Sequence, residues 1–187
     1  MIGVSVGNSH FSARRLYGLA RWGLEQSDRV DFVYRKAAKS VRGVRAKVRN
    51  AAAEADPGGT RLRWQPMFRF RANAAYQEIH WGLRRQLGED DDFRAVCDGL
   101  VGRFLSARGE EDGARQRAVC LDYVCAELPL FLDTPAIVQV PSSLVCYHQR
   151  LPMAALLYGR GAGLRASRNQ GHAIVAPAAP LHTANSQ

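Results

Sequence analysis

Cysteine is scarce in this sequence. Its 187 residues hold four, Cys97, Cys120, Cys125 and Cys146, and no two form a CxxC pair. The five histidines do not cluster with them at zinc spacing. Neither a disulfide framework nor a metal site is expected, and the reading is four reduced thiols in a cytoplasmic protein. Long apolar runs are missing too, so no segment is expected to span a bilayer. The N-terminus lacks the basic start and apolar core of a signal peptide. Acidic residues are outnumbered, 17 Asp and Glu against 26 Lys and Arg, for a formal net charge of +9. Positive charge on that scale fits a polyanionic partner. With 47% apolar and 23% charged residues the chain can bury a core, which excludes a disordered polymer. Its length suits one domain.

Strand and helix signals alternate along the chain. Met1 to Ser5 reads as a strand. Gly7 then allows a tight turn, and Ser9 is placed to cap a helix carrying Phe11, Leu16, Leu19, Ala20 and Leu24. Residues 29–34 form a second strand and 36–55 a long helix, which Asp56-Pro57-Gly58-Gly59 ends. A short strand at 62–65 precedes Pro66. Helices are expected at 73–87 and 92–107, split by the acidic run 89–92, and at 114–127, where Pro129 disturbs the pattern. Residues 136–140 read as a strand, and 143–147 either continue it or open a helix. A short helix at 152–158 and a strand at 172–175 follow. The Ala/Pro-rich tail from Pro177 is expected to be loose. No internal repeat is visible. The alternation implies one α/β domain over residues 1–176, Rossmann-like, with a mostly parallel sheet covered by helices on both faces. Sites in such sheets lie beyond the carboxyl ends of the strands, where Ser5 falls.

One helix concentrates the charge. Arg35, Lys39, Arg42, Arg45 and Arg49 recur every three or four residues and fall within an arc of about 120°. Ala37, Val41, Val44 and Val48 occupy the opposite face. The result is a cationic stripe about 20 Å long, uninterrupted by carboxylates. Aligned cations of this kind suit phosphates, and a solvated helix face is the plainer alternative. Few aromatics accompany the stripe, which favours backbone contact with a folded RNA over stacking on single strands.

Gly3-Val4-Ser5-Val6-Gly7 fits the GxSxG pattern of a nucleophile elbow. The pattern sets a serine hydroxyl at a strand-to-helix turn with backbone N–H groups free to meet an oxyanion. A hydrolase would also need an acid and a histidine downstream. Asp133 with His148 or His172 can be nominated, but no local pattern supports either pairing.

Longer strings carry more information. Residues 2–12, IGVSVGNSHFS, resemble the N-terminal motif of the cyclodipeptide synthases. The block Tyr123-Val124-Cys125-Ala126-Glu127-Leu128-Pro129 matches that family's YxxxExP signature, and Ser142-Ser143 with Tyr147-His148 matches its Ser-Ser…Tyr-His segment. Asn8, Tyr147 and His148 resemble the family's Asn-Tyr-His subgroup. The family's first strand begins upstream of the serine motif, whereas this chain starts inside it, so the first strand is expected to be shortened at its N-terminal end.

The resemblance implies a fold similar to the catalytic domain of class I aminoacyl-tRNA synthetases. It also implies an acyltransferase that joins the amino acids of two aminoacyl-tRNAs into a cyclic dipeptide, a 2,5-diketopiperazine. The substrate is already an activated ester, so no ATP, metal or other cofactor is required. By the same resemblance the route is ping-pong, through an aminoacyl and then a dipeptidyl ester on Ser5. Glu127 holds the α-ammonium, and Tyr123, one helical turn away, adds a hydrogen bond to the same nitrogen. Tyr147 contacts the acyl carbonyl and relays a proton. Asn8 and His148 position the second aminoacyl group. Gly3, Val33, Leu100, Leu130 and Val145 would line the first amino-acid pocket, which makes an apolar residue the default. Arg108 would border the second pocket. Arg35, Lys39, Arg42, Arg45, Lys47 and Arg49 would bind tRNA, with Arg35 able to turn to the pocket instead. The protein is expected to be a monomer or weak homodimer. The competing functions are a serine esterase and a tRNA-binding relative without catalysis.

Overall fold

The structure is a computed structural model that describes residues 1–4, 11–34, 43, 45, 46, 48–50, 53–109, 113–147 and 167–175. Five strands form one sheet: β1 (Ile2–Val4), β2 (Val30–Tyr34), β3 (Leu62–Pro66), β4 (Ser143–Tyr147) and β5 (Gln170–Ile174). The order is β3-β2-β1-β4-β5 and every pairing is parallel. The chain therefore builds outward from β1 to β2 and β3, then returns to lay β4 on the other side of β1. That reversal leaves a crevice beyond the carboxyl ends of β1 and β4.

The helices are α1 (Ala13–Gln26), α2 (Ala74–Glu89), α3 (Asp91–Arg108) and α4 (Ala114–Val138), with a 3₁₀ segment, η1 (Met67–Ala72), between β3 and α2. Strand alternation sorts side chains between the two faces. Ile2, Val30, Phe32, Leu62, Trp64 and Cys146 pack on α1 through Leu16, Ala20 and Leu24, with Phe11 just ahead of the helix. Val33 packs instead with Met67, Phe70, Tyr76, Ala126 and Leu130. Next to it, Leu83, Phe93, Cys97, Leu128, Phe131 and Leu132 join α2, α3 and α4. Each large side chain so buried contributes about 1.5–3 kcal/mol.

Polar groups hold the ends in place. The Arg61 guanidinium donates to the carbonyls of Leu24 (2.6 Å), Ser27 (2.8 Å) and Asp28 (3.0 Å). These include carbonyls that the end of α1 leaves without helical donors. The Asp56 carboxylate accepts from the backbone N–H groups of Thr60, Arg61 and Leu62 and fixes the turn into β3. Asp90 caps α3 by accepting from Phe93 N, which gives the acidic run at 89–92 its structural use.

Two expectations are corrected. Ser12, not Ser9, caps α1, its hydroxyl accepting from Arg15 N. Residues 136–140 form no strand, because α4 runs on to Val138 through Pro129 and Pro135. Only Asp133 leaves helical geometry, at φ −149° and ψ 66°. Its carboxylate accepts from Ala136 N at 3.1 Å, so Asp133 acts as an N-cap for a second helical stretch. Pro135 sits in that new first turn, where a missing N–H costs nothing. The Phe131 carbonyl, which Pro135 cannot serve, receives Gln170 Nε2 and His172 Nε2 instead. Ser167 N donates to the Leu132 carbonyl at 2.7 Å. The kink thus binds α4 to the β5 edge.

The other assignments fit the structure. Residues 143–147 are the strand β4 and not a helix. The helix expected at 36–55 lies mostly outside the described residues; those described between 43 and 50 are helical, while 53–55 are in a turn, so the helix ends before 53. The expected helix at 152–158 and the tail 177–187 lie outside the described residues.

Candidate active site

β1 delivers Gly3 to the carboxyl end of the sheet, between Val33 of β2 and the neighbouring β4. There Met1, Gly3, Val33, Tyr34, Met67, Glu127, Leu130 and Tyr147 line a small open cleft. Its walls are apolar, and Glu127 and Tyr147 bring the polar chemistry, as is usual for small-molecule sites. Gly3 helps keep the space open. Among the described residues, a Cβ built there would reach only Tyr147 Cε1, at 3.9 Å.

The helix α4 presents Glu127 to the cleft while Cys125, Ala126 and Leu128–Leu132 around it are buried and anchor the helix. Tyr123 shares the Glu127 face of α4. Tyr147 ends β4 and packs edge-to-face on Phe131 with ring centroids 5.3 Å apart. Burial pushes the Tyr147 phenol well above its ordinary value, and the negative charge of Glu127 and the Tyr123 phenol add to the effect. Tyr147 is therefore a neutral O–H donor at any physiological pH, close in space to the other two groups. A phenol in that state can donate to a carbonyl oxygen and pass a proton on without ionising in the resting site.

Of the residues nominated from sequence, Gly3, Val33, Glu127, Leu130 and Tyr147 meet at this cleft, with Tyr123 beside it. Val145 is fully buried on β4. Leu100 packs with Leu83, Phe93 and Cys97 between the helices and is not among the lining residues. Arg45 and Arg49 are exposed, while Val48 between them is buried, the sidedness expected of an amphipathic helix. Ser5, Asn8, Arg35, Lys39, Arg42, Lys47, His148 and the Arg108 side chain lie outside the described residues.

Met1, Tyr34 and Met67 line the cleft and were not nominated. Tyr34 ends β2, and Met67 directly follows β3. Applying the carboxyl-end rule to every strand, and not only to the first, finds both. Of the groups considered for a hydrolase triad, Asp133 caps the α4 kink and His172 bonds the Phe131 carbonyl. No described helix is long and apolar enough to cross a membrane. Among the described residues no group of three or more His, Cys, Asp or Glu could hold a metal ion. The four cysteines are free, and burial pushes the Cys97 thiol up to about 12, which keeps it protonated and inert.

Comparison with known proteins agrees with this geometry. The sequence model described as "Cyclodipeptide synthase" matches residues 1–35 and 34–177. A cyclo(L-tyrosyl-L-tyrosyl) synthase of Mycobacterium tuberculosis is 55% identical over 200 residues, covering 95% of this chain and 69% of that protein. A cyclo(L-leucyl-L-phenylalanyl) synthase of Streptomyces noursei is 28% identical, covering 95% of this chain and 84% of its own length. Among solved structures, a Mycobacterium tuberculosis protein superimposes with a TM-score of 0.79 at 54% identity, over 94% of this chain and 84% of that one. That structure is described as demonstrating that cyclodipeptide synthetases are related to type I tRNA synthetases. A cyclodipeptide synthase from Streptomyces noursei gives a TM-score of 0.70 at 29% identity, with 93% of each chain covered.

Proposed function

The chain belongs to the cyclodipeptide synthase family, and from that premise we propose that it draws both amino acids from aminoacyl-tRNAs by a ping-pong route through Ser5. The observation that carries this reading is the meeting of Glu127, Tyr147 and β1, the strand that directly precedes Ser5 in the sequence, at the switch point of the sheet.

Three acyl transfers complete the reaction. The Ser5 hydroxyl attacks the carbonyl carbon of the first aminoacyl ester, and the ribose oxygen of the tRNA leaves with a proton. The amine of the enzyme-bound aminoacyl group then attacks the second aminoacyl-tRNA, forming one amide and releasing the second ribose hydroxyl. Finally the free amine of the dipeptidyl ester attacks the ester carbonyl, forming the second amide and returning the Ser5 hydroxyl. Each step moves one proton from nucleophile to leaving oxygen. Glu127, with Tyr123, holds the α-ammonium and accepts its proton. An α-amino group titrates near about 7.7–8.0, so part of it is already neutral at physiological pH and the carboxylate need only assist the loss of the proton. Tyr147, a neutral donor, steadies the carbonyl oxygen and relays the last proton. Asn8 and His148 place the second aminoacyl group, and the stripe Arg35 to Arg49, with Lys47, takes the tRNA backbone.

The cleft favours an apolar or aromatic first residue, since Met1, Val33, Met67 and Leu130 surround the space at Gly3. The identity to a cyclo(L-tyrosyl-L-tyrosyl) synthase makes tyrosyl-tRNA the first substrate to test. Incubation with a pool of charged tRNAs, followed by mass spectrometry, should reveal a cyclic dipeptide. Ser5→Ala should abolish it and leave tRNA binding intact. Full activity of Ser5→Ala would remove the covalent route.

A further inference from the structure

The stripe of the long helix lacks aromatics, and a second basic surface at the cleft has one. Met67 is buried and lines the cleft. The next residue in the chain, Phe68, turns outward and is 61% exposed. Arg69 and Arg71, on the same 3₁₀ segment, are exposed as well. Among the described residues neither takes part in an ion pair, whereas Arg84 and Arg85 on the adjoining helix are paired with Asp122 and Glu89. Arg71 also lies near the site: its positive charge acts on the Tyr76 hydroxyl, which donates at 2.8 Å to the carbonyl of Ala126, the residue before Glu127.

An exposed ring beside two guanidiniums that take part in no ion pair among the described residues is a poor use of surface unless something flat and anionic covers it. Geometry narrows the choice. If the amino acid reaches the cleft as an ester of RNA, as the reading above holds, its ribose sits at the cleft mouth. The unpaired nucleotides at the RNA 3′ end must then lie against whatever flanks Met67. Bases stack on aromatic side chains without regard to sequence, and arginines hold the intervening phosphates. The length scale agrees, because Phe68 follows the lining residue by one Cα step of about 3.8 Å.

We propose that Phe68, Arg69 and Arg71 form the binding surface for the single-stranded 3′ end of the tRNA, with Phe68 as stacking platform and the arginines as phosphate contacts. The two basic surfaces then divide the ligand. The long helix meets the duplex stem, and the 3₁₀ segment meets the unpaired end next to the chemistry.

The test uses the full chain and two uncharged tRNA transcripts, one intact and one lacking its unpaired 3′ nucleotides. The wild type should bind the intact transcript more tightly. Phe68→Ala should weaken that binding about 5- to 100-fold and erase the preference, and Phe68→Trp should restore it. Arg69→Gln and Arg71→Gln should each lower the slope of log affinity against log salt by about 0.7. Equal binding of both transcripts by the wild type, or a Phe68→Ala protein that still prefers the intact one, would overturn the proposal. So would a lower sedimentation coefficient for Phe68→Ala, which would give the ring to a contact between copies of the chain. Failure of the wild type to make cyclic dipeptide from charged tRNA, with the end preference intact, would sink the catalytic reading and leave this surface standing.

Discussion

The two faces of the sheet are built by opposite rules. On the α1 face, Phe32, Leu16 and Ala20 are fully buried and the contact is made mostly by apolar side chains. On the other face the helices α2 to α4 also bury a core, but at the carboxyl end of the sheet they leave a cleft. Glu127 and Tyr147 stand in it, and the backbone of α4 is broken at Asp133. The first face has only to be stable. The second gives up close packing at one end to hold polar groups that need room for a substrate. Mutations should therefore separate stability from activity according to the face they touch.

The largest separation should come from Glu127→Gln and Tyr147→Phe. Each removes a proton-handling group while keeping its shape. Cyclic dipeptide formation should fall by about 10²- to 10⁴-fold, with the unfolding midpoint nearly unchanged. A large drop in the midpoint would mean the open face is structural after all. Next, Phe32→Ala on the closed face should cost about 3–5 kcal/mol of stability, read by urea unfolding, while the folded fraction keeps its KM for tRNA.

A smaller and sharper contrast uses one substitution on both faces. At Gly23 in α1 an added Cβ would come within 2.7 Å of Val30 Cγ2. Gly23→Ala should destabilise despite the gain of about 1 kcal/mol expected in a helix. At Gly3 the nearest atom is 3.9 Å away. Gly3→Ala should leave stability alone and instead raise the KM for the bulkier aminoacyl-tRNAs, because the methyl group occupies the cleft. If Gly3→Ala unfolds the protein and Gly23→Ala does not, the contrast is reversed.

The smallest effect concerns pH. Burial holds His172 below its ordinary value of 6.5, and the hydrogen bond to the Phe131 carbonyl only partly offsets this. The folded state thus binds fewer protons than the unfolded chain. The stability it contributes is complete above about 6.5 and is lost as pH falls below it. His80 is lowered in the same direction by burial and by Arg84 and Arg71. In His172→Gln, which keeps a donor for the Phe131 carbonyl, the loss of melting temperature between pH 7 and pH 5 should shrink. An equal loss in both proteins would assign the acid sensitivity elsewhere.

Much of the architecture was legible in the chain. The buried run Val30–Tyr34 reads as a strand because all five residues are interior, as a central parallel strand requires. The turn at Asp56 is equally plain from its Pro-Gly-Gly. Residues 136–140 misled because an Ala-Ile-Val run before Pro141 has strand composition, while the helical choice depends on Asp133 capping a new turn and on Gln170 and His172 serving a carbonyl that Pro135 abandons. Those donors stand more than thirty residues away, beyond any local window. For the site, the Tyr123–Glu127 spacing and Tyr147 could be named in advance. The carboxyl-end rule, applied to β2 and β3 as well, would have named Tyr34 and Met67, but that they share a cleft with Gly3 follows only from the strand order β3-β2-β1.

By itself the sequence determined the alternation of strand and helix, the sidedness of the basic helix and the residue types able to handle an acyl group. These follow from periodicity, charge spacing and short motifs, all of which act over a few residues. Tertiary structure decided the strand order β3-β2-β1-β4-β5, the placement of a cleft at its reversal and the kink that locks α4 to β5. Each of these arises where groups far apart in the chain must satisfy one another's hydrogen bonds and buried surface at once.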